Sequence, residues 1–300
     1  MATGTETKHG AGEGEGEIEM TFWGVRGTLP RPGPDTVRYG GNTSCVSLEF
    51  PGGELFVFDA GSGIKALADH LMTRGGEIRG KIFISHPHWD HINTIPFFTP
   101  LYVPGNEFEI IGSAHGSTTM RDLVSAQMDG VFFPITMREF GAEVEFKDVH
   151  EGSFDIDGVG VEAIRLAHPG NCLGYRVDYD GRSICYITDN ELFPASSEHY
   201  SKEFDERLQR FCAAADVLII DTNYFDEEYE SKIGWGHSCV GQVANLAHRA
   251  RVRTLYLFHH DHSHDDAAID AKVRKAEELL AEWGSSTECV APIEGERIRL

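Results

Sequence analysis

The segment Ser85-His86-Pro87-His88-Trp89-Asp90-His91 constrains this chain more than any other stretch. It follows directly on Lys81 to Ser85 (KIFIS), an apolar run with the length and composition of a buried strand. Three imidazoles and one carboxylate thus stand within six residues at a strand end. Imidazole together with carboxylate suits Zn²⁺, Mn²⁺ or Fe, and the lack of neighbouring thiols argues against a structural cysteine-type zinc site. Side chains on a loop are not separated by helix or strand periodicity. His86 and His88 can therefore address one ion while Asp90 and His91 address a second a few ångströms away. The plain alternative is a His-rich surface turn, and four ligand groups on the end of an apolar strand count against it.

The same habit recurs elsewhere. Asp59 ends the apolar run Phe56 to Phe58, although it could merely cap a helix starting at Ile64. His168 follows Ala163 to Ala167, Asp189 follows Ser183 to Thr188, and His259-His260 follow Leu255 to Phe258. A lone histidine past a strand is usually structural. Recurrence at five strand ends points to loops that converge on one place.

Around these positions, alternating apolar runs predict strands over 18–25, 44–50, 54–58 and 81–85. Helical spacing predicts a helix over 64–73 with Ser62 as its N-cap, and another over 118–128. Residues 92–106, with three prolines, read as an irregular apolar loop. Stretches 143–149, 153–166, 173–179 and 182–188 read as hairpin strands turning at Asp157-Gly158 and Asp180-Gly181. Helices over 197–214, 239–250 and 265–283 alternate with strands over 217–220, 254–258 and 297–300. The expectation is one α/β domain over 18–300, two β-sheets inside a helical shell, behind a disordered Gly/Glu-rich leader over 1–17.

Composition narrows the partners. With 48 Asp plus Glu against 26 Lys plus Arg, the formal net charge is −22. Proteins that hold long nucleic acids do so largely with Lys and Arg, so a DNA, RNA or anionic membrane partner is disfavoured. No apolar run reaches the ~18–20 residues that cross a bilayer, and the leader lacks a signal-type apolar region. Six scattered cysteines without a C-x-x-C pair read as reduced thiols, and a cytoplasmic location is expected.

The order Asp59, H-x-H-x-D-H over 86–91, His168, Asp189 and a histidine after a core strand resembles the metallo-β-lactamase superfamily. The resemblance implies an αββα sandwich with a two-metal site at one edge of its two mixed sheets. By it, His86, His88 and His168 hold one divalent ion, Asp90, His91 and His259 hold the other, and Asp189 bridges them. Zn²⁺ is the first expectation for both ions, with Mn²⁺ or Fe as alternatives. Asp59 would orient a ligand imidazole. His259 is preferred over His260 as last ligand because the family's ligand directly follows the strand, leaving His260 in support.

Ligand type then selects among branches. Flavodiiron members carry Glu where His88 stands, and thiol-ligated β-lactamases carry Cys where Asp189 stands. Phosphodiesterases, thioesterases and lactonases remain. Gly234-Trp235-Gly236-His237-Ser238 resembles the G-H-S/T motif of the tRNA 3′-processing ribonuclease branch. That likeness implies His237 as proton donor to the leaving oxygen; the alternative is that it caps the helix after it. Phe22 to Thr28, Arg38 to Ser44, P-x-Y-x-P-G-N over 100–106 and H-H-D-x-x-H-x-D over 259–266 look like a cyclic-nucleotide-phosphodiesterase-like subgroup. The ribonuclease branch inserts a tRNA-gripping arm between its third-motif His and bridging Asp. Here His168 and Asp189 are 21 residues apart, filled by one hairpin.

The expected activity is therefore hydrolysis of a small anionic phosphodiester such as a cyclic nucleotide, with Asp90 orienting the nucleophile. Asn42, Phe97, Tyr102 and Tyr224 are candidate substrate contacts, Phe98 and Tyr229 are open between contact and packing, and Trp89 reads as packed beneath the metal loop. A thioesterase or lactonase would use the same metals without an acid at His237, and a ligand-binding protein would use none of the chemistry. Asp261, His262, His264, Asp265 and Asp266 could suggest a third metal site; support of His259 and capping of the next helix through Asp265 is simpler. A homodimer is left open.

Overall fold

The computed structural model of the chain describes residues 16–131 and 133–300, so residues 1–15 of the expected leader lie outside the described residues. Strands β1 (Glu19–Gly24), β2 (Cys45–Glu49) and β3 (Leu55–Phe58) form an antiparallel meander. Helix α1 (Ile64–Arg74) then carries the chain to β4 (Arg79–Phe83), parallel to β3. Helix α2 (Trp89–Ile92) and two 3₁₀ turns (Ile95–Phe97, Thr99–Tyr102) precede β5 (Glu107–Gly112). Helix α3 (Met120–Gln127) precedes β6 (Glu143–Asp148).

The second sheet opens with β7 (Gly152–Ile156), β8 (Val159–Arg165), β9 (Leu173–Tyr179) and β10 (Arg182–Ile187), each antiparallel to the last. Helix α4 (Lys202–Phe211), β11 (Val217–Asp221), α5 (Asp226–Tyr229), α6 (Val240–Ala250), β12 (Thr254–Phe258), α7 (Asp266–Glu282) and β13 (Glu288–Val290) follow, with β10 to β13 parallel. Strand β14 (Arg297–Arg299) returns to pair with β1. The two seven-stranded sheets run in the orders β14-β1-β2-β3-β4-β5-β6 and β13-β12-β11-β10-β9-β8-β7.

The central strands are apolar throughout because both of their faces are covered. In β3, Phe56 and Phe58 point into the layer between the sheets, while Leu55 and Val57 pack beneath α1. In β12, Tyr256 and Phe258 face the same inner layer, while Leu255 and Leu257 meet α6 and α7. Period-two alternation thus builds three apolar layers, the αββα sandwich.

Several local expectations are corrected. Ser62 does not cap α1; Gly63 holds that position, and the Ser62 hydroxyl instead accepts from the Thr43 N–H at 2.9 Å. Residues 92–106 are ordered into helical turns, because Ile95, Phe98 and Leu101 are buried against the outer face of the first sheet. Strand β6 joins β5 in parallel in the first sheet rather than pairing with β7. Strands β5 and β13 and helices α2 and α5 had no counterpart among the sequence expectations, and α2 carries Asp90 and His91, which were expected on a loop.

For the site, one consequence dominates. Parallel strands β3 and β4 of one sheet and β10 to β12 of the other end at one edge of the sandwich, so the loops leaving them meet there.

Candidate metal centre

Asp59, Asp189 and His259 lie just past the ends of β3, β10 and β12, with φ of 59°, 31° and 56°. Left-handed backbone is unfavourable for non-glycine residues and collects at functional sites. Here it turns the chain sharply as it leaves the sheet, aiming each side chain along the edge.

Asp59, wholly buried, organises the metal loop. Its Oδ1 accepts the Ser85 N–H at 2.7 Å. Its Oδ2 accepts the Ser85 hydroxyl at 2.9 Å, the Tyr186 hydroxyl at 2.7 Å and His91 Nδ1–H at 2.8 Å. With Nδ1 so engaged, His91 presents its Nε2 lone pair to the interior. That Nε2 lies 3.1 Å from an oxygen of both Asp90 and Asp189 and has no hydrogen-bond partner.

Opposite it, His86 Nε2 is 2.8 Å from His88 Nδ1, which is 3.2 Å from His168 Nε2. His168 Nδ1–H donates to the Gly236 carbonyl at 2.8 Å, fixing its tautomer as Asp59 fixes that of His91. His259 Nε2 approaches Asp189 Oδ1 at 2.9 Å and Asp90 Oδ2 at 3.2 Å. Ligand atoms of His86, His88, His168 and Asp189 all lie within 4.8 Å of one another, as do those of Asp90, His91, Asp189 and His259. Asp189 belongs to both sets. Imidazole lone pairs crowded on each other and on carboxylates repel unless a cation lies between them, so this donor set fits two divalent ions.

The titration pattern has the same origin. Burial drives the pKa of His86 down, reinforced by His91, and burial also lowers His88 and His168. For His91 and His259 burial opposes protonation but the carboxylates outweigh it, Asp90 leading for His91 and Asp189 for His259; His259 rises to about 10.

The segment after β1 braces the second ligand set. The Thr28 N–H donates to Asp90 Oδ2 at 2.8 Å. Gly27 lies so close to the His259 ring that a Cβ there would sit 2.4 Å from it. His260 is buried with both ring nitrogens unpartnered, and it supports the site through its backbone, which bonds Val25 and Gly27.

His237 stands beside the ligands, its ring 5.2 Å from that of His259 and near-parallel to it. Its Nδ1 donates to Asp221 Oδ2 at 2.8 Å. Burial works against protonation, but Asp221 outweighs it and raises the pKa. His237 does not cap α6, since Cys239 holds the N-cap position. Two residues absent from the sequence reading emerge here. Asp221 ends the apolar run of β11 and carries the very signature that singled out Asp59. Glu191, 1% exposed, accepts the N–H groups of Gly234 and Gly236 at 2.8 and 2.7 Å and the Tyr229 hydroxyl at 2.8 Å; nothing local in the sequence marks it. Asp221, His237 and His259 also form a close group, but His259 turns Nδ1, not Nε2, toward Asp221.

The expected substrate contacts fare unevenly. Asn42 is held by Glu294 and Ser62, and the Tyr102 hydroxyl donates to the Pro96 carbonyl, so both brace the fold instead. Phe98 is buried, whereas Phe97 is 52% exposed, with its ring edge-on to Phe133. Tyr224 is buried, its ring edge-on to His237, and Tyr229 serves Glu191. Trp89 reverses its expectation: it is 80% exposed, because its neighbours His88 and Asp90 turn toward the metal sets and leave it outward. Among the described residues, 261–266 form no further ligand group: Asp265 caps α7, Asp261 accepts from Ser263, and His264 pairs with Glu228. A surface cavity of about 620 Å³ lies where β3 to β5 begin, at the far edge from these ligands.

Residues 56–260 match the family model described as Beta-lactamase superfamily domain. The ribonuclease Z of Thermococcus sibiricus is 26% identical over 284 residues, spanning 81% of this chain and 86% of its own. Among solved structures, the metallo-beta-lactamase fold protein YhfI from Bacillus subtilis superposes with a TM-score of 0.67 at 17% identity, covering 95% of this chain and 100% of that one. A diphosphatase from the PhnP family gives 0.63 at 18% identity, covering 95% and 97%. At these identities the structural likenesses show the fold alone.

Proposed function

Since this chain belongs to the β-lactamase superfamily, we propose that it is a dinuclear metal-dependent phosphodiesterase acting on a small phosphodiester such as a cyclic nucleotide. In this reading His86, His88 and His168 would hold one ion, Asp90, His91 and His259 the other, and Asp189 would be shared between them. Two divalent ions in those sets, Zn²⁺ foremost, would lower the pKa of a water toward neutrality and offset the charge of the diester. The protein's own groups do the rest. Asp59 and the Gly236 carbonyl fix the imidazole tautomers. Asp90 would orient the attacking nucleophile. His237 gives a proton to the departing oxygen through Nε2, since Nδ1 is bound to Asp221.

The observation that carries the reading is this His237–Asp221 pair beside a complete His/Asp ligand set. An alkoxide leaves poorly without a proton, whereas a thiolate leaves readily, so thioester hydrolysis gives such a donor no task. The curated relative's name raises an RNA end as a second substrate. The net charge of −22 disfavours a long polyanion, and residues between His168 and Asp189 form only the β9–β10 hairpin. No helix among the described residues is long and apolar enough to cross a membrane. All six cysteines are buried and unpaired, which supports a reducing, cytoplasmic setting.

The test is metal analysis followed by a turnover screen of bis(p-nitrophenyl) phosphate, 2′,3′- and 3′,5′-cyclic nucleotides, a precursor tRNA and a thioester. Two ions per chain with turnover of small diesters is expected. No turnover of any diester by metal-replete protein refutes the reading.

A further inference from the structure

Trp235 is 60% exposed, two residues before His237. A single exposed indole is ordinary on a protein surface. What is not ordinary is how this one is held. The glycines on either side of it, Gly234 and Gly236, have φ of 86° and 85°, and both of their N–H groups point at the Glu191 carboxylate, one on each oxygen. That carboxylate is buried and tied down by Tyr229. The backbone is thus drawn inward on both sides of one residue, and the side chain between them is left outward. The Lys232 ammonium lies 4.0 Å from the centre of the indole ring and steadies it further. The loop is continuous with the chemistry: the Gly236 carbonyl orients His168, and His237 is the next residue.

We propose that Trp235 is a stacking platform for a flat aromatic group of the substrate, a nucleobase or aryl ring, carried on the His237 side of the phosphodiester. The proposal rests on the phosphodiesterase reading for the position of the phosphorus, and it names the class of substituent that the site selects. An indole fixed in advance loses little freedom when a ring stacks on it, and a base offers a π-face whatever its identity. Lys232 lies over one face of the ring, where it adds a positive charge suited to an anionic nucleotide, and the base stacks on the opposite face.

The experiment compares adenosine 5′-monophosphate with ribose 5-phosphate, its base-free counterpart, by calorimetric titration of the zinc-loaded protein. Wild type should bind the nucleotide roughly tenfold more tightly than the sugar phosphate, the scale of one base stacked on an aromatic ring. Trp235→Ala should abolish that preference, Trp235→Phe should keep most of it, and zinc content should not change in either. In turnover, Trp235→Ala should raise KM for bis(p-nitrophenyl) phosphate by a similar factor, with kcat nearly unchanged. Equal binding of the two phosphates by wild type, or a preference that survives in Trp235→Ala, overturns the platform. If wild type turns over no diester yet loses its base preference in Trp235→Ala, the phosphodiesterase reading fails and the platform stands. If diesters turn over and binding ignores the base, the reverse holds.

Discussion

Replacing Asp221 by Asn tests the proton donor without moving it. The Asp221 carboxylate is buried, accepts His237 Nδ1–H at 2.8 Å through Oδ2 and accepts the Asn223 N–H at 2.9 Å through Oδ1. An amide oxygen can keep the bond to His237 while the charge disappears, and the amide NH2 then gives up the bond from the Asn223 N–H. Two unit charges about 4 Å apart interact by roughly 4 kcal/mol at the effective dielectric of such sites, an upper figure for what the carboxylate contributes to the imidazolium. Partner charges commonly shift a titrating group by about 1–3 units. Because Asp221 raises the His237 pKa, its removal must lower it. A proton donor works only while protonated, so activity is lost as pH rises through its pKa. Asp221→Asn should therefore move the basic limb of the kcat profile to lower pH. The assay is kcat against pH on a diester with an alkyl leaving group, with bis(p-nitrophenyl) phosphate in parallel, since nitrophenolate leaves without help. His237→Ala should cost about 10²–10⁴ in kcat on the alkyl diester and far less on the nitrophenyl one. Equal losses on both substrates, or an unmoved limb at unchanged metal content, would refute the assignment.

Three further outcomes are expected. Gly236→Ala places a Cβ 2.3 Å from His168 Nδ1 at a φ of 85°, so it should displace that ring and reduce bound metal from two ions toward one while circular dichroism stays native; full metal content would contradict the role given to the Gly236 carbonyl. Chelation should lower the melting temperature, since ligands bound at about 100 times Kd contribute about 2.7 kcal/mol per site; an unchanged melting temperature would speak against resident ions. Lys272, wholly buried with its ammonium donating to the Thr222 and Asn223 carbonyls at 2.7 Å each, has its pKa pushed by burial from 10.5 to about 7. Between those values the unfolded chain holds a proton that the folded chain has released, so stability rises with pH by up to about 1.4 kcal/mol per unit from this residue. The stability of wild type relative to Lys272→Met should climb across that window, and a constant difference would count against it.

What could be read from the sequence is what lies next to an apolar run. Asp59, His86, Asp189 and His259 all follow strands buried on both faces, and such strands announce themselves as unbroken hydrophobic segments. Asp221 carries the same mark, standing directly after the apolar run 217–220. The rest depended on contacts that no local pattern encodes. Glu191 reaches loop amides 43 and 45 positions away, and His168 is oriented by a carbonyl 68 positions on. The pairing of β6 with β5 in place of β7 is decided by which sheet its neighbours join. Trp89 illustrates the limit well, since an aromatic between two ligands can lie under a loop or above it, and only the direction of its neighbours decides. The left-handed turns at Asp59, Asp189 and His259 show what the arrangement costs, roughly 1–3 kcal/mol for each residue held in such a region. That strain persists because the core on both sides of β3, β10 and β12 fixes the strand ends. The apolar layers and the polar edge are therefore one device. The core that made the strands legible is also what holds two carboxylates and five imidazoles close enough to repel one another, and so creates the demand for cations.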